Sequence, residues 1–215
     1  MIRACGTLII ASSAACAFQQ QGASADLDRE ADTYSIYSLL LTNPPTSHGP
    51  DNNEIYLIGG TTVPGIPAEP CVTVPPGVSA DRGQRMAEVL ADYHARKDQR
   101  TALKPMFKIP KPYQILPTTG IAEFEAVRSR LPQKVSDFSR LSDVYFDHNR
   151  TIALTQLSTW CGSLCGLFRW RVFEKSADGQ WQERSWVSCI SMAQRSHGSR
   201  DAALPIAGAF ARRAD

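Results

Sequence analysis

Four groups of residues have types and spacings that could carry chemistry. The first is Cys161 and Cys165 in "STWCGSLCGLFRW", two sulfurs with three residues between them. Thiol–disulfide exchange prefers two intervening residues and a helix N-terminus that lowers one thiol pKa. Here three intervene and a strand pattern follows, so a structural staple is the preferred reading and redox exchange the alternative. The second group is Asp92 and His94 in "DYH", which with Asp147 could form an acid–base set for a hydrolase; a solvated helix face is the plainer reading. The third is the four histidines, His48, His94, His148 and His197, which form no HxH or HExxH pair. With only one closely spaced cysteine pair, no metal site and no cofactor are expected. The fourth is Arg169 and Arg171, alternating with Phe168, Trp170 and Val172. They are expected to leave the apolar face of their strand and offer a surface for binding.

No G-x-S-x-G elbow, Walker-type loop or dinucleotide fingerprint occurs. Catalytic residues therefore stay unassigned. "IGGTTVPG" is read as a bulge and a turn, because no lysine and no helix pattern follow it. Asn149-Arg150-Thr151 is a glycosylation sequon with no meaning in a bacterial setting.

The N-terminus decides how the cysteines are read. Arg3 precedes an apolar run, Thr7 to Phe18, too short to span a bilayer. Small residues at Ala23 and Ala25 suit signal-peptide cleavage after Ala25. "SAAC" ending at Cys16 resembles a lipobox and offers a rival route, lipidation of that cysteine. Plain secretion is preferred, because Ser13 stands where a bulky aliphatic residue belongs. Residues 1–25 are thus expected to be a signal peptide, and the mature chain to be periplasmic or extracellular, or an outer-membrane lipoprotein. No transmembrane segment is expected in it. Outside the cytoplasm Cys71, Cys161, Cys165 and Cys189 favour two disulfides, with three pairings open. A two-residue turn at Asp178-Gly179 would oppose Phe168 to Cys189 and put Cys189 on the apolar face. On that register the expected pairs are Cys161–Cys165 and Cys71–Cys189.

These residues need elements to hold them. The chain has 215 residues, 43% of them apolar, and suits one domain, residues 26–192, with a flexible tail at 193–215. A net charge of +2 gives no field that would hold nucleic acid. Residues 26–42 read as a helix with acids in its first turns and Leu27, Tyr34, Tyr37 and Leu41 on one face. A proline-rich loop follows, then a strand at 54–63. Ser79 caps a helix expected from Ala80 to about Leu103, with Met86, Val89, Leu90 and Tyr93 as its stripe. A shorter helix is expected over Ile121–Leu131. From Leu141 the period becomes two, giving an antiparallel meander in which Trp160, Trp170, Trp181 and Trp186 are read as core. The expected fold class is α+β, helices packed on an antiparallel meander sheet of about four or five strands.

The segment at 141–181 resembles a pattern in uncharacterised secreted bacterial proteins. In that pattern one strand ends in F(D/N)xxxTxAL, a second leads to CGxLCG and a third ends in EKxxGxW, against which this chain reads EKSADGQW. "TYSIYSLLL" and "EIYLIGGTT" are similar to the same group. The resemblance implies an exported α+β domain and brings no activity. The two arginines of "LFRWRVFEK" stand where that pattern has small or apolar residues. The leading expectation is a disulfide-stapled, non-enzymatic domain for an unknown cell-envelope ligand or partner. A cell-envelope hydrolase and a Cys161/Cys165 redox protein are the alternatives.

Overall fold

The computed structural model describes residues 13–42, 55–65, 69–117, 120–130, 135–162, 165–187 and 191–193. Cys189, residues 1–12 of the expected leader and nearly all of the expected tail lie outside these residues. So do the side chains of Cys16, Ala25, Cys161 and Cys165.

Among the described residues there are three helices and eight strands in one sheet. In chain order they are α1 (Ser13–Thr42), β1 (Ile55–Gly59), α2 (Ala80–Arg96), β2 (Tyr113–Leu116), α3 (Ile121–Arg128), β3 (Val135–Leu141), β4 (Tyr145–Phe146), β5 (Ile152–Gly162), β6 (Cys165–Lys175), β7 (Trp181–Arg184) and β8 (Ser191–Ala193). The sheet runs β2-β1-β3-β5-β6-β7, with β4 on β5 and β8 on β6. The class is α+β, but the sheet is mixed rather than purely antiparallel, because β1 pairs in parallel with both β2 and β3. The connection from β1 to β2 carries α2, and such a crossover brings the chain back in the same direction.

The sheet is buried on both faces. Strand alternation puts Ile58, Leu141, Ala153, Leu157 and Phe173 on one side, where they pack against Tyr34, Tyr37, Leu40 and Leu41 of α1. On the other side Met86, Val89 and Tyr93 of α2 cover Ile152, Leu154, Trp170 and Val172. Beyond them Phe124 of α3 stacks on Phe138, ring centroids 4.8 Å apart, over Leu57 and Leu116. Ser79 caps α2 as expected, its hydroxyl accepting from the Arg82 N–H. Trp170, Trp181 and Trp186 are buried core residues and Trp160 is partly buried.

Four expectations are corrected. The helix α1 starts at Ser13, so the acids of "DLDRE" are not in its first turn, and Leu27 is 65% exposed. Those acids instead reach basic side chains of other segments, among them Arg150 from Asp28 and Lys104 from Glu30. The helix α2 stops at Arg96, short of Leu103. The β-bulge near β1 falls between Ile55 and Leu57, not at Gly59-Gly60; Gly60 is needed because a Cβ there would overlap the Leu116 carbonyl. The β6–β7 turn has three residues, Ala177 to Gly179, with Lys175 opposite Trp181 and Gly179 at φ 81°. A three-residue loop closed by a left-handed glycine shifts the register by one from the expected two-residue turn.

Candidate functional site

The helix α2 sets Asp92 against the segment that leads into β4. Asp92 Oδ2 accepts from Arg29 Nη2 and from the Phe146 N–H, both at 2.9 Å. Arg96, one helical turn on, brings Nε to 3.0 Å from Asp92 Oδ1, close enough for charge pairing but out of line for a hydrogen bond. Its Nη2 donates to the Val144 carbonyl at 2.9 Å and lies 3.0 Å from Asp143 Oδ2. The result is a chain of alternating charge, Arg29–Asp92–Arg96–Asp143, that pins α1 and α2 to residues 143–146. Burial pushes the Asp143 carboxyl above its usual range, and the Arg96 guanidinium opposes that rise. Arg29 and Arg96 also lie over the rings of Phe146 and Tyr145, at 5.0 and 5.6 Å.

Asp147 is 2% exposed and closes the turn between β4 and β5. Its carboxylate accepts from the Thr151 N–H at 2.6 Å, the Ile152 N–H at 2.7 Å and the Thr151 hydroxyl at 2.7 Å. Within this turn Arg150 takes a left-handed φ of 54°. Asp92 and Asp147 both line an open cleft of about 730 Å³, with Arg29, Glu88, Phe146 and His148. A smaller hollow of about 290 Å³ shares Asp26 and Arg29 with it and is walled by Glu30, Tyr34, Tyr37, Arg96, Lys104 and Asp143.

The structure therefore brings two of the three expected acid–base residues together. His94 is not with them. Its side chain is 55% exposed, 4.0 Å from the Glu69 carboxylate, on the solvent side of α2. The histidine that does line the cleft is His148, whose backbone N–H donates to the Glu88 carboxylate at 3.2 Å. Among the described residues no cluster of His, Cys, Asp and Glu could hold a metal ion.

The arginines of β6 are the second correction at site level. Arg169 and Arg171 share their sheet face with Leu157 and Phe173, the side that carries α1. Neither points freely into solvent: Arg169 is half-buried and Arg171 is 8% exposed. Arg171 Nη1 is bonded to Glu183 on β7, while its Nε has no partner. On the opposite face Arg140 is half-buried, and burial lowers its pKa. Phe168, expected in the core, is only partly buried.

Of the cysteines, Cys71 is disulfide-bonded. Its neighbour Val72 forms an antiparallel bridge with Val187, and Thr73 N–H donates to the Trp186 carbonyl at 2.8 Å. Cys161 sits at a register shift one residue before the end of β5, Gly162 pairs with Cys165, and β6 begins at Cys165. A strand, not a helix, follows Cys165.

Sequence reasoning missed Arg29, Arg96 and Asp143. The spacing of Asp92 and Arg96 on one helix was a usable signal. Arg29 is 63 positions from Asp92, and no local pattern marks that contact. Compared with family models, curated proteins and solved structures, the chain finds no match in any of the three.

Proposed function

We propose that the chain is an exported, disulfide-tied binding domain of the cell envelope that performs no covalent chemistry. The observation that carries this reading is the state of the two cleft carboxylates. Asp92 is held between two arginines and a backbone N–H, and Asp147 accepts three hydrogen bonds inside its own turn. Groups so engaged serve as anchors, since a base needs a free lone pair facing its substrate. The leader pattern and the even cysteine count support export. The bridge between Val72 and Val187 supports a Cys71–Cys189 pair, and the pairing of Gly162 with Cys165 supports a Cys161–Cys165 staple.

Intact mass of the protein recovered from outside the cytoplasm tests this reading. Cleavage after Ala25 and the loss of two hydrogens per disulfide are expected, and acyl mass on Cys16 would mark the lipoprotein route. A full-length, fully reduced chain retained in the cytoplasm would overturn it.

One observation favours a hydrolase instead: Asp92, Asp147 and His148 line one cleft. Turnover of an ester or glycoside substrate that is abolished by Asp147→Asn, in a protein that still folds, would establish that alternative. The redox reading would need a Cys161/Cys165 pair that alkylates readily after mild reduction.

A further inference from the structure

We propose that the smaller hollow, between α1 and residues 142–144, binds a small zwitterion of the α-amino-acid class. The inference deepens the binding-domain reading by naming a ligand class, and rests on it.

The hollow has three preformed walls. One face of α1 supplies Arg29, Glu30, Thr33, Tyr34 and Tyr37, at the three- and four-residue spacing that keeps side chains on one side of a helix. The floor is residues 142–144, held to α1 by the Tyr37 hydroxyl, which donates to the Ser142 carbonyl at 2.7 Å. The roof is residues 101–104. The Leu103 N–H donates to the Gly60 carbonyl at 2.8 Å and the Thr62 N–H to the Thr101 carbonyl at 2.9 Å, so the chain just after β1 fixes it. Walls already tied in place lose little freedom when a ligand enters. The volume, about 290 Å³, admits one small molecule and not a sugar chain.

The chemistry of the walls defines the molecule. The Val144 carbonyl accepts from Arg29 Nη2 at 3.3 Å and from Arg96 Nη2 at 2.9 Å, so the two guanidinium groups stand together at the floor. Both line the hollow, and their hydrogen bonds use Nη2 alone, which leaves Nη1 of each to donate elsewhere. Such a pair suits a carboxylate. Glu30, the residue after Arg29, gives Oε1 to Lys104 and keeps Oε2 for a second cation. The Thr33 hydroxyl has no partner among the described residues. The buried Tyr34 hydroxyl accepts from the Lys104 N–H at 2.5 Å, and its own proton has no acceptor among them. The ion pairs around the hollow cancel, with Arg29, Arg96 and Lys104 against Asp92, Asp143 and Glu30. Asp26 at the rim, as the first residue after cleavage at Ala25, carries one charge of each sign and leaves that balance unchanged. A ligand with no net charge but a full charge at each end matches these walls. An α-amino acid brings a carboxylate for the arginines and an ammonium for Glu30. A sugar fits less well, because its C–H face needs an open aromatic ring. Tyr34 packs edge-on against Tyr37 and Phe107, ring centroids 5.9 and 5.3 Å away, and all three are buried.

The test is calorimetric titration of the folded, oxidised protein with each of the common free L-α-amino acids, and with glucose as a neutral polyol. Saturable heat is expected with at least one amino acid and none with glucose. The N-acetyl and the amide forms of that amino acid, which lack the ammonium and the carboxylate in turn, should each bind about tenfold more weakly or worse. Glu30→Gln should weaken binding by about the same factor. Thr33→Val should also weaken it, without lowering the melting temperature, because its hydroxyl has no partner in the free protein. Arg128→Gln, which removes an exposed charge from α3 on the other face of the sheet, should leave binding unchanged. The proposal is overturned if no amino acid gives saturable heat, if only glucose binds, or if the blocked forms or the Glu30→Gln protein bind as tightly as the parent pair. An exported protein that binds no amino acid fails here while the binding-domain reading stands. A protein never exported fails that reading whatever it binds.

Discussion

Replacing Asp147 separates an anchor from a catalyst. In Asp147→Ala, two backbone N–H groups and one hydroxyl lose their acceptor at a site 2% exposed. Each buried N–H left unmet costs about 1–3 kcal/mol, and the hydroxyl can re-aim, so the loss should be about 4 kcal/mol. For a chain of this size that lowers the melting temperature by about 8–16 °C. Asp147→Asn behaves differently. Its Oδ1 still accepts both N–H groups, and its amide can donate to the Thr151 hydroxyl. Only the charge assistance is lost, about 1 kcal/mol. The assay is paired urea and thermal unfolding of the three proteins, with m-values compared to confirm the same transition. An alanine variant within about 1 kcal/mol of the parent would refute the anchoring argument. So would an asparagine variant as damaged as the alanine one.

Three further outcomes are expected. Gly65→Ala places a methyl against the Trp170 indole, 2.6 Å from Cη2, and should cost about 1–3 kcal/mol in urea unfolding, with altered tryptophan emission. Phe138→Ala removes the ring stacked on Phe124 and should cost about 3–5 kcal/mol, read by unfolding and by faster amide exchange in α3. Asp143 titrates above 3.8 in the folded chain, so the folded state takes up its proton first as pH falls. Its contribution is full below 3.8 and is lost as pH rises through the folded value. The stability of the parent relative to Asp143→Asn should therefore decline across that window, and a flat difference between about pH 3 and 7 would contradict the cause given.

Particular residues explain what could be read in advance. Ser79 followed by the stripe of Met86, Val89 and Tyr93 is a local signal, and α2 forms where it points. The long alternation through Phe168, Trp170 and Val172 likewise gives β6. The strand β3, "VSDFSRL", has no clean alternation, and its place is fixed by parallel pairing with β1, about 80 residues earlier. The fate of Arg171 depended on α1 covering the second face of the sheet, a contact across more than a hundred residues. Asp178-Gly179 signals a turn by type but not by length, because one glycine serves both loop forms. Of the site, Asp92 and Asp147 were visible as residue types; their meeting in one cleft needed the turn after β4 to fold back on α2.

The edges of the sheet bear on how the protein keeps company with itself. Its outer strands, β2 and β7, are each four residues long. Short edges leave few backbone groups for another chain to pair with. Pro112 and Pro117 bracket β2, which stops the ladder from lengthening there. At the far edge the exposed Gln182 and Glu183 set polar and charged groups where a neighbour would add a strand. A long, aromatic-rich hairpin such as β5–β6 is prone to strand-to-strand aggregation when its sides are open. Here it lies inside the sheet, flanked by β3 and β4 on one side and by β7 and β8 on the other, so the protein should stay dispersed at concentrations where an uncovered hairpin would form fibrils.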